Sequence, residues 1–334
     1  MSWKGEKDPY RIWLSEIILQ QTRVEQGISY YEKFISGFPT IKALAKASEK
    51  EVFKYWEGLG YYSRCKNLIA SAKIIAGEYK GVFPSSYDEI LALPGVGPYT
   101  AAAISSFAFN LPYAVVDGNV ERILARYFGI SIPKSSASGK KIYADLSFSL
   151  LDKNNPGNFN QAIMDFGATV CKPQNPLCTT CPLSKNCESN KYGWTGILPQ
   201  KKVAPPRKTR WLYYFIIDAG KSKYWIRKRT ENDIWQHLYE FVLLETGQLI
   251  PHDKIPDVSL IKEKLGKTGF QISHISPIFS QTLTHQSIKG CFIHVKPSIP
   301  MVKLSGYQPV ALSKLRDFPF PKLISDYLGL LNSE

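Results

Sequence analysis

Apolar positions recur at helical spacing through the first half of the chain and change to a strand-like pattern in the second. DPYRIWLSEIILQQTRV opens on Asp8 as an N-cap with Pro9 in the first turn. Ile12, Leu19 and their apolar neighbours then follow at helical intervals. This predicts a helix over residues 8–24. Glu51–Leu59 has the same period and stops at Gly58 and Gly60. Asn67–Tyr79, Thr100–Phe109, Asn119–Phe128 and Gly139–Leu151 continue the helical series. Beyond residue 210 the period shifts. Trp211–Asp218 (WLYYFIID), Tyr224–Lys228 and Gly290–Val295 (GCFIHV) are rich in aromatic and β-branched residues and read as strands, with Gly220 between the first two. LPQKKVAPPRKTR separates the halves. Its prolines, Pro199, Pro205 and Pro206, lack a backbone donor and fix φ, so the segment reads as an extended linker. The pattern predicts an all-α region over 1–190, a linker over 191–210 and a mixed α+β domain over 211–334.

Composition narrows the function classes. The chain has 334 residues, of which 44% are hydrophobic, enough for two buried cores and too many for global disorder. No apolar run approaches the roughly 18 residues of a spanning helix. The start, Met1-Ser2-Trp3-Lys4, lacks the apolar stretch of a secretory signal, so an intracellular protein is expected. The net charge is +14 and unevenly spread. Residues 1–190 hold 21 Lys/Arg against 17 Asp/Glu, whereas residues 191–334 hold 21 against 11. The surplus includes Lys201, Lys202, Arg207, Lys208 and Arg210. It suits a polyanionic partner such as nucleic acid, and equally a solvated linker.

Four of the six cysteines, Cys171, Cys178, Cys181 and Cys187, fall within 17 residues, among Pro173, Pro176 and Pro182. Prolines put these thiols on a loop. Thiolates so spaced bind zinc or an iron–sulfur cluster. Cys65 and Cys291 lie apart and read as plain thiols.

LALPGVGPYTAAAI places Gly95 and Gly97 between two helical stretches. Glycine permits a tight turn, and a turn that opens a helix aims free N–H groups at an anion, here a DNA phosphate; an ordinary loop has the same signature. In VVDGNVERI, Asp117 is placed to cap the helix that follows. Glu16, in WLSEIILQQT, sits among bulky apolar residues. Desolvation there raises a carboxyl pKa toward the range of a general acid.

Together these motifs resemble the endonuclease III superfamily of DNA glycosylases, with its helix-hairpin-helix and 4Fe–4S loop. SEIILQQTRV, GLGYYSR, LPGVGPYTA, VDGNV, FNQAIMDFGATVC and the four cysteines are similar to the MutY family of adenine DNA glycosylases within it. The likeness is dense from Trp3 to about Cys187 and thinner beyond. It implies removal of adenine mispaired with 8-oxoguanine or guanine in duplex DNA. The target base is flipped out of the stack. Glu16 serves as general acid and Asp117 stabilises or traps the oxocarbenium-like sugar. Tyr99 and Asn119 support the two carboxylates. Sister enzymes with strand-cutting activity carry a lysine at the position of Tyr99, so the resemblance implies a monofunctional glycosylase. It also implies that Cys171, Cys178, Cys181 and Cys187 hold a structural, redox-capable 4Fe–4S cluster.

For the orphan 8-oxoguanine, the resemblance points to Gln21 and Thr22, and to Leu59 and Tyr61 as a wedge; core packing is the alternative for the last two. The second domain resembles the Nudix-like domain of the family. DIWQHLYEF matches its GLWEF segment, with His237 at a place usually small. TLTHQ matches its Phe-Ser-His loop, which would bring Leu283, Thr284 and His285 to the lesion. The Nudix catalytic box is absent, so nucleoside triphosphate hydrolysis is not expected. Lys4 stands where the family has arginine, and the chain begins after the point where family members complete an upstream helix. The implied partners are mismatched duplex DNA and, among proteins, a replication clamp or other repair proteins; a monomer without membrane association is expected. Two alternatives stand beside this reading. A G:T mismatch glycosylase would need neither Glu16 nor the second domain. A noncatalytic iron–sulfur DNA-binding protein would need no Glu16–Asp117 pair.

Overall fold

A computed structural model of the chain describes residues 5–20, 24–200, 206–257, 259–266, 269–299 and 303–331. The chain divides into two compact units. One comprises Met1–Ala47 with Lys66–Ala204, the other Ser48–Cys65 with Pro205–Glu334.

Helices form the first unit. They are α1 (Pro9–Leu19), α2 (Val24–Gly37), α3 (Ile41–Lys46), most of α5 (Tyr62–Gly77), α6 (Tyr87–Leu91), α7 (Pro98–Phe109), α8 (Gly118–Phe128), α9 (Ala137–Leu150), α10 (Pro156–Thr169) and α11 (Glu188–Tyr192). Their starts follow from local chemistry. Asp8 accepts from the Tyr10 N–H and Pro9 occupies the first turn, as the sequence predicts. Thr40, Ser86 and Ser136 cap α3, α6 and α9 through the same kind of bond. The first helix ends at Leu19, short of the expected residue 24. Gln20 leaves the helical region with ψ 115°, and its side chain donates to Thr100 Oγ1 at 3.2 Å. Trp13, Leu14 and Ile18 of α1 are fully buried, so α1 lies in the core rather than on its surface. Gly167 of α10 lets α8 come close: a Cβ there would stand 2.6 Å from Asn119 Cβ.

The second unit contains α4 (Glu49–Trp56) and a mixed sheet. Its strands are β1 (Lys208–Ile217), β2 (Lys223–Lys228), β3 (Tyr239–Glu240), β4 (Val242–Thr246), β5 (Phe270–Ile275), β6 (Phe279–Thr282), β7 (Gln286–Pro297) and β8 (Gln308–Ala311), with α12 (Ser259–Leu265) and α13 (Lys322–Leu330). The three expected strands lie within β1, β2 and β7. Strand order is β4-β1-β7-β5, with β6 also paired to β7; β3-β2-β8 form a second sheet. β1 and β7 run parallel and contribute Tyr213, Phe215, Ile217, Cys291, Ile293 and Val295 to one core. α11 reaches into the range read as linker, and β1 starts within it at Lys208. Ser48–Cys65 groups with the C-terminal residues, a tertiary relation that no local pattern announces. Among the described residues, no helix is long and apolar enough to cross a membrane.

Candidate active site

A cavity of about 440 Å³ opens in the first unit, and Glu16, Tyr99, Asp117 and Asn119 all line it. Three helices deliver them: Glu16 from α1, Tyr99 from the first turn of α7, and Asp117 and Asn119 from the N-cap and first turn of α8. The volume falls in the range of sites that enclose a small organic group.

Glu16 keeps some accessible surface because it faces the cavity, yet it lies deep among protein atoms between buried Ser15 and Ile17. Burial raises its pKa from 4.5 to about 7. The Tyr99 hydroxyl donates to its carboxylate and opposes the shift, while the charge of Asp117 adds to it. Burial and the two neighbouring carboxylates push the Tyr99 phenol well above its ordinary value, so it stays protonated as a donor.

Asp117 caps α8. Its Oδ1 accepts the Asn119 N–H at 2.9 Å and the Val120 N–H at 2.8 Å, and its Oδ2 accepts Asn119 Nδ2 at 2.7 Å. These three bonds fix the direction of the Asp117 side chain. Asn119 Oδ1 in turn accepts Arg122 Nη2 at 2.8 Å. Arg122 also donates to the carbonyls of Cys171 and Gly167 at 2.7 and 2.6 Å. A continuous chain of bonds therefore links the cysteine loop to Asp117.

Sequence reasoning missed one wall of the cavity. α10 contributes Asn158, Gln161, Met164 and Asp165, and Gln161 Nε2 donates to Asp165 Oδ1 at 3.0 Å. Gln161 and Asp165 stand four apart on a helix, a spacing that reads as an ordinary polar face. Only the approach of α8 and α1 turns that face into a wall.

Gly95 has φ +77° in the turn between α6 and α7, and a Cβ there would strike Asn67 at 2.6 Å. Gly97 is the N-cap of α7 and supplies no side-chain cap. This hairpin lies as the sequence predicts.

Cys171, Cys178, Cys181 and Cys187 border one hollow of about 30 Å³, on 3₁₀ turns and loops. Arg126 of α8 is 3% exposed and ties the loop together. It donates to Cys171 Sγ at 3.4 Å and to the carbonyls of Lys172, Pro173, Thr195 and Leu198. Four soft thiols around one hollow, with a buried cation at their edge, fit a thiolate-bound group of net negative charge. Among the described residues, no three His, Cys, Asp or Glu side chains form a ligand set for a single ion.

The remaining expected residues lie elsewhere. Gln21, Thr22 and Lys4 fall outside the described residues. Leu59 is 7% exposed and packed, whereas Tyr61 is 43% exposed. Tyr61 holds φ 48°, between Gly58 and Gly60 on one side and α5 on the other, a conformation rare for a non-glycine residue. Its hydroxyl hydrogen-bonds Thr284 Oγ1 within the second unit. Leu283, Thr284 and His285 form the tip of the β6–β7 hairpin, closed by the Leu283 N–H donating to the Gln286 carbonyl at 2.8 Å. Thr284 and His285 are exposed and Leu283 is half-buried.

Comparison with known proteins finds one family model in each half of the chain. The family model for the HhH-GPD superfamily base excision DNA repair protein matches residues 14–145, and the NUDIX domain model matches 213–330. An adenine DNA glycosylase of Buchnera aphidicola subsp. Acyrthosiphon pisum is 42% identical over 244 residues, 72% of this chain and 69% of the relative. Another, from Buchnera aphidicola subsp. Baizongia pistaciae, is 36% identical over 292 residues, 84% and 81% of the two chains. Among solved structures, a thermostable thymine-DNA glycosylase is similar with TM-score 0.54 and 32% identity, over 57% of this chain and 88% of that one.

Proposed function

The chain belongs to the adenine DNA glycosylases, and from that premise we propose how its cavity releases adenine and how the chain chooses its substrate. It acts in base excision repair. The observation that carries the mechanism is the convergence of Glu16 and Asp117 on one cavity, with Tyr99 bonded to Glu16.

Adenine enters the cavity extrahelically, since its glycosidic bond is inaccessible inside the stack. Glu16, protonated near neutral pH, gives its proton to an imidazole-ring nitrogen of adenine. The C1′–N9 bond breaks and leaves an electron-deficient sugar. Asp117, oriented by the α8 end and Asn119, stabilises that cation or captures it at C1′. Glu16, now a carboxylate, takes a proton from the attacking water, whose oxygen completes C1′. Gln161, on the α10 wall, offers both a donor and an acceptor to the adenine edge. Tyr99 has no amine with which to form an imine, so the abasic strand is left intact.

Substrate choice rests in part on the second unit. Tyr61 supplies the exposed part of the wedge while Leu59 is buried; Thr284 and His285 read 8-oxoguanine opposite the adenine. Gln21 and Thr22 belong to the same reading. The glycosylase core lies within 1–190 apart from Ser48–Cys65, which groups with the C-terminal unit, and the lesion-reading domain begins with β1 at Lys208 after a linker. The four cysteines would hold a 4Fe–4S cluster. Bound there, the cluster would fix the loop and supply a redox-active centre, with no part in base removal. Mismatched duplex DNA is the partner, and the basic C-terminal half adds phosphate attraction that salt weakens.

The test is a glycosylase assay on duplexes carrying 8-oxoguanine:A, G:A, G:T and 8-oxoguanine:C, with and without alkali. Alkali-dependent cleavage of the adenine strand, strongest opposite 8-oxoguanine, is expected. Thymine release from G:T in place of adenine release would overturn the reading.

A further inference from the structure

Glu57 ends α4 and begins the turn that presents Tyr61. The turn has little regular structure to hold it: Gly58, Gly60 and Tyr61 have φ of 93°, 73° and 48°. Its position depends on anchors. Trp56 Nε1 donates to the Gly60 carbonyl at 2.9 Å, and the Gly58 N–H donates to the Tyr62 hydroxyl at 3.3 Å. These bonds close the turn on itself. Glu57 ties it to the C-terminal residues of the same unit. Its Oε1 accepts the Phe320 N–H at 3.1 Å and the Ser325 hydroxyl at 2.6 Å. Its Oε2 pairs with Lys54, whose Nζ also donates to the Phe318 carbonyl at 3.4 Å. Lys50 lies over the Phe318 ring at 3.4 Å.

The acceptor stands at a favourable place. α13 begins at Lys322, and its N-cap, Pro321, provides no side-chain bond. Glu57 therefore brings a carboxylate to a helix end that has no cap of its own. Its side chain is 18% exposed, so the bonds are partly shielded from water. At the far end of the turn, Tyr61 meets Thr284 of the β6–β7 tip. Glu57 and the Tyr61–Thr284 contact thus bracket one short segment, and both join it to the same C-terminal fold.

We propose that Glu57 is a positioning residue for lesion selectivity: by clamping the Gly58–Gly60 turn to Phe320 and Ser325, it holds Tyr61 in register with Thr284. This rests on the reading of Tyr61 and Thr284 as lesion-reading residues. Loss of the clamp lets the turn relax, because Gly58 and Gly60 leave its backbone free to move and Tyr61 holds a left-handed conformation rare for a non-glycine residue. Adenine chemistry in the first unit does not depend on it.

Single-turnover adenine release from 8-oxoguanine:A and G:A duplexes tests this, with wild type, Glu57→Ala, Glu57→Gln, Thr284→Ala and the Glu57→Ala/Thr284→Ala double variant. Thermal melting checks that each is folded. Glu57→Ala is expected to reduce the preference for 8-oxoguanine:A by about tenfold, with a much smaller change on G:A. Glu57→Gln keeps an oxygen that accepts from both Phe320 and Ser325, so it retains most of the preference. The double variant is no less selective than Thr284→Ala, since both changes break one linkage. If Thr284→Ala loses the preference and Glu57→Ala keeps it, the clamp is wrong and the lesion reading stands. If Thr284→Ala matches wild type, the lesion reading fails and the clamp fails with it. Additive losses in the double variant, or a Glu57→Gln as impaired as Glu57→Ala, would also overturn the clamp.

Discussion

Asn119 holds Asp117 from two sides: its backbone N–H donates to Oδ1 at 2.9 Å and its side-chain amide donates to Oδ2 at 2.7 Å. Asp117 is therefore both a helix cap and a carboxylate fixed in direction toward the cavity. The two roles separate on substitution. Asparagine caps helices about as well as aspartate, so Asp117→Asn is expected to melt within about 1 kcal/mol of wild type. Without the charge, adenine release falls by at least about a hundredfold, the scale of losing one electrostatic contact to a transition state. Melting and single-turnover assays on the same preparation measure both.

The raised pKa of Glu16 gives a pH signature in rate and in stability. In its proposed role as general acid, Glu16 must be protonated, so release is expected to slow as pH rises through about 7. The stability sign follows from proton linkage. The folded state keeps the Glu16 proton to higher pH than the unfolded chain, so its stabilisation is full below about 4.5 and is lost as pH rises through about 7. The loss is up to about 3 kcal/mol, reduced by whatever water fills the cavity. Glu16→Gln has no such dependence. Denaturant unfolding at pH 5 and pH 8 should show the wild-type difference shrink in the variant.

Gln161 faces the cavity from α10. Gln161→Ala removes a donor and an acceptor beside the base and leaves the carboxylates in place. Adenine release is expected to slow by about tenfold, on the order of one or two lost hydrogen bonds, with the pH profile unchanged. A displaced pH profile would mean that the substitution disturbs Glu16 instead.

Much of this site is legible in the sequence because its signals are local. Asp117 precedes a helix and is placed to cap it; Glu16 is flanked by apolar residues that bury it; the cysteines are close in sequence and broken by prolines. Other parts depend on tertiary approach. Gln161 and Asp165 become a cavity wall only when α8 packs against α10 at Gly167. Ser48–Cys65 joins the C-terminal unit in part through Glu57, which in sequence is one more charged residue at a helix end. Leu59 and Tyr61, read together as a wedge, part company: one is buried and the other is exposed in a left-handed conformation that no tyrosine advertises. The end of α1 at Leu19 has no glycine or proline to mark it.

The cysteine loop should load iron. Purified protein is expected to contain iron rather than zinc, and to show broad visible absorption from thiolate-to-iron charge transfer. Cys178→Ser is expected to lower iron content and to loosen the loop, seen as faster hydrogen exchange over residues 171–187. Zinc at one ion per chain without visible absorption would exclude the cluster.

The pairing of Glu16 and Asp117 in one cavity is the centre of the account, and single-turnover release of adenine by Glu16→Gln from an 8-oxoguanine:A duplex tests it most directly. Wild type should leave an alkali-labile site on the adenine strand. Glu16→Gln should bind the duplex with similar affinity and release no measurable adenine. Near-normal release by the variant would contradict the assignment.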